Sequence, residues 1–203
     1  MFTRAWHGAW SDSAERGYKV SVTNPTDREL VTAALAGDRD AFDSIVERHR
    51  RHVYQLCYRF VGNHEDASDL TQDVFIRAYR GLRSFKGDAA LGTWLYRIAV
   101  NVSLNKVGAK AVRSLPLDPL VLASDVRIAA PGESAADALL REERAARVRA
   151  AIARLPKKQR ATLILRMYHE LPHDEIAGIL GSSVGAVKAN FFHALGNLKR
   201  LLK

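Results

Sequence analysis

Five consecutive residues near the C-terminal end of the chain match a metal-binding pattern. His169, Glu170 and His173 have the spacing His-Glu-x-x-His, in which two imidazoles one helical turn apart bind zinc and the glutamate acts as a general base. That chemistry requires both histidines on one face of a single helix. Pro172 lies between them, removes a backbone donor and biases Leu171 away from helical angles. The sequence therefore predicts that the two imidazoles do not share a helix face and that no zinc site forms.

The other candidates for catalytic or metal chemistry are weaker. His49 and His52 are three residues apart, but no third ligand stands near them, and we interpret both as surface residues. Cys57 is the only cysteine and lies in the apolar-periodic run VYQLCYRF, which indicates a small core residue. A single cysteine forms no intramolecular disulfide, and this favours a reducing compartment. We predict no catalytic residue, no metal and no cofactor.

A different chemistry is indicated by residues 92–106, GTWLYRIAVNVSLNK. Five side chains of this helical stretch are too many to point into one small core: Trp94, Tyr96, Arg97, Asn101 and Asn105. Exposed aromatic rings beside arginine and asparagine stack on single-stranded nucleic acid and hydrogen-bond to it. The alternative is a solvated helix face.

Residues 173–192, HDEIAGILGSSVGAVKANFF, have the pattern of two helices joined by a tight turn. Gly181 stands where the turn needs a positive φ, and Ser183 suits the N-cap of the second helix. Val187 is spaced to pack back on Ile176 and Leu180. This is helix-turn-helix spacing, which an ordinary pair of antiparallel helices could share.

The charge distribution favours nucleic acid as the partner of this second unit. The chain of 203 residues has a net charge of +9 and a pI near 9.9. Residues 137–203 contain thirteen Lys and Arg against six Asp and Glu, whereas residues 26–107 contain twelve against eleven. A clustered basic charge is typical of phosphate binding. Hydrophobic content of 47% excludes general disorder, and no signal peptide or membrane span is recognisable, so we expect a cytoplasmic protein without membrane insertion.

Helical spacing of apolar residues dominates the chain, and no strand pattern is recognisable. The fold class predicted is all-α, with two helical domains joined by a flexible linker that contains three prolines between residues 115 and 133. The predicted divisions are a disordered tail over 1–25, a first domain over 26–107, a linker over 108–136 and a second domain over 137–203.

These stretches resemble the extracytoplasmic-function (ECF) sigma factors of bacterial RNA polymerase, in the sigma-70 family. Residues 65–85, EDASDLTQDVFIRAYRGLRSF, are similar to region 2.2, and residues 92–106 to regions 2.3 and 2.4. Residues 155–200 resemble region 4. The resemblance implies a sigma factor that binds core polymerase through its β′ and β subunits, recognises the −10 and −35 elements of promoter DNA, performs no reaction of its own and has an anti-sigma factor as a further partner.

The resemblance also implies which side chains would make each contact. The residues implied in polymerase binding are Asp66, Asp69, Gln72, Asp73 and Phe75. Those implied in −10 binding are Trp94, Tyr96, Arg97, Asn101 and Asn105. Those implied in −35 binding are Ser182, Ser183, Gly185, Ala186, Lys188, Ala189, Asn190 and His193.

The second helix of the helix-turn-helix departs from the family pattern V-G-T-V-K-S-R-L-x-R-A-R. Alanine replaces threonine and serine at 186 and 189, and Asn190, His193 and Leu195 replace three arginines. Lys188 is thus the only fixed positive charge between Ser183 and His193. Two rival functions stay open at this level, namely a dimeric helix-turn-helix regulator without polymerase and a zinc enzyme. The first would need a dimerisation helix or ligand pocket, and neither is recognisable.

Overall fold

A computed structural model describes residues 24–112 and 135–203 of the chain. Within those ranges it contains helices and no strand, as the sequence predicts. The elements are α1 (Asp27–Leu35), α2 (Arg39–Val61), α3 (His64–Gly81), a 3-10 turn (Leu82–Ser84), α4 (Leu91–Val112), α5 (Ala135–Ala153), α6 (Lys157–Tyr168), α7 (His173–Leu180) and α8 (Val184–Leu201). No helix in this described part is long and apolar enough to cross a membrane.

Helices α1 to α4 form one packed unit whose helix ends are set by local sequence. Thr26 and Glu29 form a reciprocal capping box at the start of α1, and the side chains of Asp38 and Asn63 cap α2 and α3. Gly62 ends α2 in the left-handed conformation at φ 77°. Inside the unit, fully buried side chains come from three helices, so the apolar stripe of each helix faces the other two: Val53, Leu56, Phe60, Val74, Leu95 and Ala99.

Helices α6, α7 and α8 form the second packed unit, with α5 contacting α8. Ile176 of α7 and Val187 of α8 are fully buried, and Gly181 makes the turn between these helices at φ 57°. The side chain of Ser183 accepts a hydrogen bond from the Ala186 amide at 3.2 Å. The turn glycine, the N-cap and the packing valine of the predicted helix-turn-helix are therefore confirmed.

Some boundaries and faces differ from the sequence predictions. Helix α4 continues to Val112, five residues beyond the predicted end of the first domain at residue 107, and no proline interrupts it before residue 116. Tyr79 follows the helical spacing of the apolar residues of α3, which predicts a buried side chain, but it is 57% exposed. Most of the predicted tail and linker lies outside the described residues. Asn24 and Pro25, at the end of that tail, accept hydrogen bonds from Arg48 of α2 at 3.2 and 2.7 Å.

The two helical units pack directly against each other. Helix α4 contacts α7, and α2 contacts α6. Arg160 of α6 is 6% exposed and donates a hydrogen bond to the carbonyl of Phe60, the last turn of α2. Burial lowers the pKa of this guanidinium to about 10. The guanidinium carbon of Arg59 lies 4.2 Å from the centroid of the Tyr168 ring, a cation–π contact across the same boundary.

Candidate polymerase- and DNA-binding surfaces

The first unit has a groove between α2 and α3, with a volume of about 1080 Å³. Six of the twelve residues that line it are apolar or aromatic, three are arginines and three are other polar residues: Phe42, Val46, Arg50, Arg51, Tyr54, Ser68, Thr71, Gln72, Phe75, Ile76, Tyr79 and Arg80. Ile76 is 42% and Tyr79 57% exposed, and the Tyr79 ring packs edge-on against Phe42 with centroids 5.0 Å apart. A groove with an exposed apolar centre and a charged rim is typical of a protein-binding site.

The residues predicted to bind polymerase lie unequally around this groove. Asp69 and Gln72 are exposed on α3. Asp73 is partly exposed and accepts two hydrogen bonds of 3.0 Å from Nε of Arg77, one turn further along the helix. Asp66 is already paired within the first unit: its carboxylate accepts a hydrogen bond from the Asn63 side chain at 2.8 Å and forms an ion pair with Lys106 at 2.9 Å.

Phe75 lines the groove but is only 8% exposed and belongs to the core between α2 and α3, so it is not an exposed surface residue. Ile76 and Tyr79 are the large side chains that α3 exposes at the groove. Ile76 and Tyr79 were not among the surface residues predicted from the sequence. Ile76 could have been found, because it stands two residues from both Val74 and Ala78 and so lies on the opposite side of α3 from these buried residues.

A polar line runs along the exposed side of α4. Arg97, Asn101 and Asn105 are all exposed, and each follows the previous one by about one helical turn. Three side chains with hydrogen-bond donors are thereby presented along one face over roughly 12 Å, at a rise of about 1.5 Å per residue. This spacing suits contacts to several successive nucleotides of one strand.

The two aromatic residues predicted beside this polar line are not exposed rings, and that part of the prediction is wrong. Trp94 is half-buried and packs on Phe85, with ring centroids 5.3 Å apart. Tyr96 follows Trp94 by two residues and so points to another side of α4. There its ring meets His169 of the second unit edge-on at 5.1 Å, and its hydroxyl and the His169 Nδ1 share a hydrogen bond of 3.2 Å.

The predicted −35 residues occupy the N-terminal half of α8 and the turn before it. Five of them are exposed: Ser183, Gly185, Lys188, Ala189 and His193. Ser182, Ala186 and Asn190 are half-buried. Asn190 follows the fully buried Val187 by three residues, which places its side chain at the edge of the exposed face of α8.

Phe192 is the residue of α8 that the sequence reasoning missed. It is 75% exposed and stands one helical turn after Lys188, on the same outward face. Its spacing from Lys188 was the available signal. Phe191, the residue before it, is half-buried and packs edge-on against His173, with ring centroids 5.9 Å apart.

The histidines of the zinc-like pattern do not share a helix. His169 directly follows α6, whereas His173 begins α7 after Pro172. Within the described ranges no group of three or more His, Cys, Asp or Glu side chains could hold a metal ion. His52 is exposed as predicted, while His49 is half-buried and pairs with Asp27 at 3.0 Å.

Comparison with known proteins places both units in one family. Residues 45–112 match the model of sigma-70 region 2, and residues 145–198 match that of sigma-70 region 4. The chain belongs to the sigma-70 family, in its ECF group. It is 35% identical over 188 residues to the RNA polymerase sigma-H factor of Pseudomonas aeruginosa, an alignment covering 90% of this chain and 96% of the relative.

Two further comparisons support the ECF assignment. The ECF sigma factor SigW of Bacillus subtilis is 36% identical over 181 residues, covering 87% of this chain and 96% of SigW. The structure of CnrH in complex with the cytosolic domain of CnrY superposes with a TM-score of 0.61 at 26% identity, covering 87% of this chain and 96% of CnrH. As a sigma factor, the chain binds core RNA polymerase and directs promoter-specific initiation of transcription.

Proposed function

We propose that three separate surfaces of this sigma factor divide the work of initiation. The α2–α3 groove binds core polymerase, the polar line on α4 holds the unpaired strand of the −10 element, and the outward face of α8 reads the −35 element. The polymerase supplies all the bond chemistry and this chain performs no reaction of its own. It acts where the polymerase acts, in the cytoplasm.

The groove suits polymerase because it combines apolar area with charges of both signs. Ile76 and Tyr79 provide the apolar centre, which gains free energy when a partner removes it from water. Asp69 and Asp73 lie on one side of α3 and Arg80 lines the groove. Such charges fix the orientation of the bound partner and exclude partners whose charges do not match.

The observation that carries the proposal is the exposed line of Arg97, Asn101 and Asn105 on α4. Guanidinium and amide groups hydrogen-bond to base edges that are accessible only when a strand is unpaired. Half-buried Trp94 lies one turn before Arg97 and provides a partial stacking surface at the same end. A single unpaired strand that runs along this line would be bound by these groups, because none of the contacts requires a base pair.

The outward face of α8 suits duplex DNA. A recognition helix with its N-terminal residues against base edges is the geometry of helix-turn-helix proteins. Lys188 is exposed and suits a phosphate contact, which fixes register but carries no sequence information. Phe192, on the same face, suits apolar contact with a thymine methyl group.

A protein partner that controls this sigma factor is part of the proposal. The solved structure of CnrH contains a bound partner, the cytosolic domain of CnrY. An anti-sigma factor of similar kind would compete with polymerase most directly at the α2–α3 groove, where the exposed apolar area of the first unit is concentrated.

The test is promoter opening by reconstituted holoenzyme, followed by permanganate reactivity of −10 thymines. Asn101→Ala is expected to bind core polymerase normally and to leave those thymines unreactive. Gln55→Ala removes another exposed amide, from α2 and outside the three surfaces, and serves as the matched control. Normal opening by Asn101→Ala, or an equal defect in Gln55→Ala, contradicts the role proposed for α4.

A further inference from the structure

The α2–α3 groove has the shape and the chemistry to accept one short helix. The residues that line it extend from position 42 to 54 on α2 and from position 68 to 80 on α3, a length of about 18 Å at a rise of about 1.5 Å per residue. Ile76 and Tyr79 leave 42% and 57% of their surface exposed there. A helix that docks in such a groove presents apolar residues at every third or fourth position.

The N-terminal tail of this same chain contains a segment with that spacing. Phe2, Ala5, Trp6, Ala9 and Trp10 stand at positions i, i+3, i+4, i+7 and i+8, so a helix over these residues has one apolar face. That face is about 12 Å long and fits within the groove. Two of the three tryptophans of the chain belong to it, and tryptophan contributes strongly to binding when it fills an apolar pocket. A segment that is disordered alone can become helical when it docks.

The tail joins the first unit beside one wall of the groove, although residues 1–23 lie outside the described part of the chain. Nη2 of Arg48 donates hydrogen bonds to the side-chain oxygen of Asn24 at 3.2 Å and to the Pro25 carbonyl at 2.7 Å. Arg51 lines the groove and follows Arg48 by three residues, so the two are neighbours on the surface of α2. The stretch from Trp10 to Asn24 can span up to about 48 Å, and the apolar segment can therefore reach all of the groove.

The charges that follow the apolar segment are complementary to those of the α2 wall. Asp12 and Glu15 come shortly after Trp10 in the sequence. Arg50 and Arg51 are exposed at the groove, and neither forms an ion pair with a carboxylate of the described ranges. Opposite charges at the rim of an apolar contact orient the docked segment.

We propose that residues 2–10 dock as a helix in the α2–α3 groove of the same molecule and compete there with core polymerase. The competition rests on the proposed function of the groove, whereas the docking does not. A short linker supplies an effective concentration on the order of 1 mM. A segment that binds the groove with a Kd of about 0.1 mM is then docked in about nine of ten molecules, and its loss strengthens polymerase binding roughly tenfold.

Tryptophan fluorescence of the full-length chain tests the docking. The variant Trp6→Phe/Trp10→Phe retains only Trp94, so subtraction of its signal from that of the wild type leaves the two tail indoles. We expect these indoles to emit at shorter wavelength than in the urea-unfolded chain and to be quenched by acrylamide severalfold less. The same subtraction in the Ile76→Asp background should show indoles as accessible as in the unfolded chain. Leu35→Asp adds an equal charge on α1, outside the groove, and should keep the protection.

Three results of this measurement overturn the proposal. Full accessibility of both indoles in the wild type means that the tail does not dock, and it leaves the groove free for polymerase. Protection that persists in Ile76→Asp places the tail on another surface. Protection that rises with protein concentration means that a second copy supplies the docked segment.

The affinity for core polymerase measures the competition. Trp6→Ser/Trp10→Ser should bind with a Kd about tenfold lower than the wild type. Tyr18→Ser changes the tail outside the apolar segment and should bind as the wild type does. An unchanged Kd in the tryptophan variant, with the indoles protected in the wild type, overturns the competition. Adding Ile76→Asp to the tryptophan variant then tests the groove without the tail: weaker polymerase binding supports the proposed function of the groove, and unchanged binding contradicts it.

Discussion

Replacement of Ile76 in the α2–α3 groove tests the polymerase-binding surface by a change of one apolar side chain. Ile76 is 42% exposed and lines the groove. We expect Ile76→Ala to weaken binding of core polymerase and to leave the free energy of unfolding within about 0.5 kcal/mol of the wild type, as for most surface substitutions.

The magnitude follows from the area still available for burial. Full burial of an isoleucine side chain stabilises by about 1.5–3 kcal/mol, so the exposed 42% of Ile76 can contribute about 1 kcal/mol to a complex. This corresponds to a rise of roughly fivefold in Kd. Ile76→Asp should cost about 3 kcal/mol, on the order of a hundredfold, because it places a carboxylate in the apolar centre next to Asp73.

The assay is fluorescence anisotropy of labelled sigma factor titrated with core polymerase, together with thermal unfolding of each variant. Leu35→Ala is the matched control, because Leu35 is 43% exposed on α1 and does not line the groove. Phe75→Ala should instead lower the free energy of unfolding by about 3–5 kcal/mol, since that ring is buried. Unchanged affinity in Ile76→Asp, or an equal loss in Leu35→Ala, refutes the assignment of the groove.

Three further predictions concern the second unit. Lys188→Ala should weaken binding to all −35 sequences alike and reduce the salt dependence by about one phosphate contact, whereas Lys199→Ala, three turns further along α8, should change binding less; salt titrations of duplex binding decide this. Asn190→Arg should tighten overall binding and blur adenine preference at one −35 position, which selection from random duplexes would show. Burial, with His52 and Arg59 nearby, lowers the pKa of His169 to about 4, so protonation of its ring disfavours the folded state. The free energy of unfolding should therefore fall by up to about 3 kcal/mol as the pH drops from 6.5 to 4. Denaturant unfolding measures this change, and the variant His169→Gln should lack it.

Local sequence was sufficient for the helix-turn-helix because its defining features act over short distances. Gly181 takes a positive φ that other residues adopt only with strain, and Ser183 caps the amides that directly follow it. Val187 lies about one helical turn into α8, as Ile176 lies about one turn before the end of α7, so the two side chains face each other across the turn. Each of these constraints is visible in a window of fewer than fifteen residues.

The faces of α3 and α8 were harder to predict because helical periodicity gives the direction of a stripe but not its width. Phe75 and Tyr79 are one turn apart in an apolar pattern, yet only Phe75 reaches the core. The packing of α2 on α3 decides the difference: the ring of Phe42 makes an edge-to-face contact with the ring of Tyr79, and the remaining surface of Tyr79 stays exposed to water. That information depends on residues more than thirty positions away in the chain.

Residues 169–172, between α6 and α7, show how a tertiary contact can account for a pattern that sequence reasoning only rejects as a zinc site. Pro172 cannot donate a backbone hydrogen bond and is the N-cap of α7, so His169 is left just after α6 rather than one turn from His173 on a common helix. The His169 ring packs on Tyr96 instead, and Leu171 lines a cavity between α2 and α4. Pro172 thus separates the two histidines and also directs residues 169–171 toward the first unit. Pro172→Ala should therefore favour continuation of helix through residue 172, and any continuation would withdraw Leu171 from this cavity and loosen the contact between the two helical units.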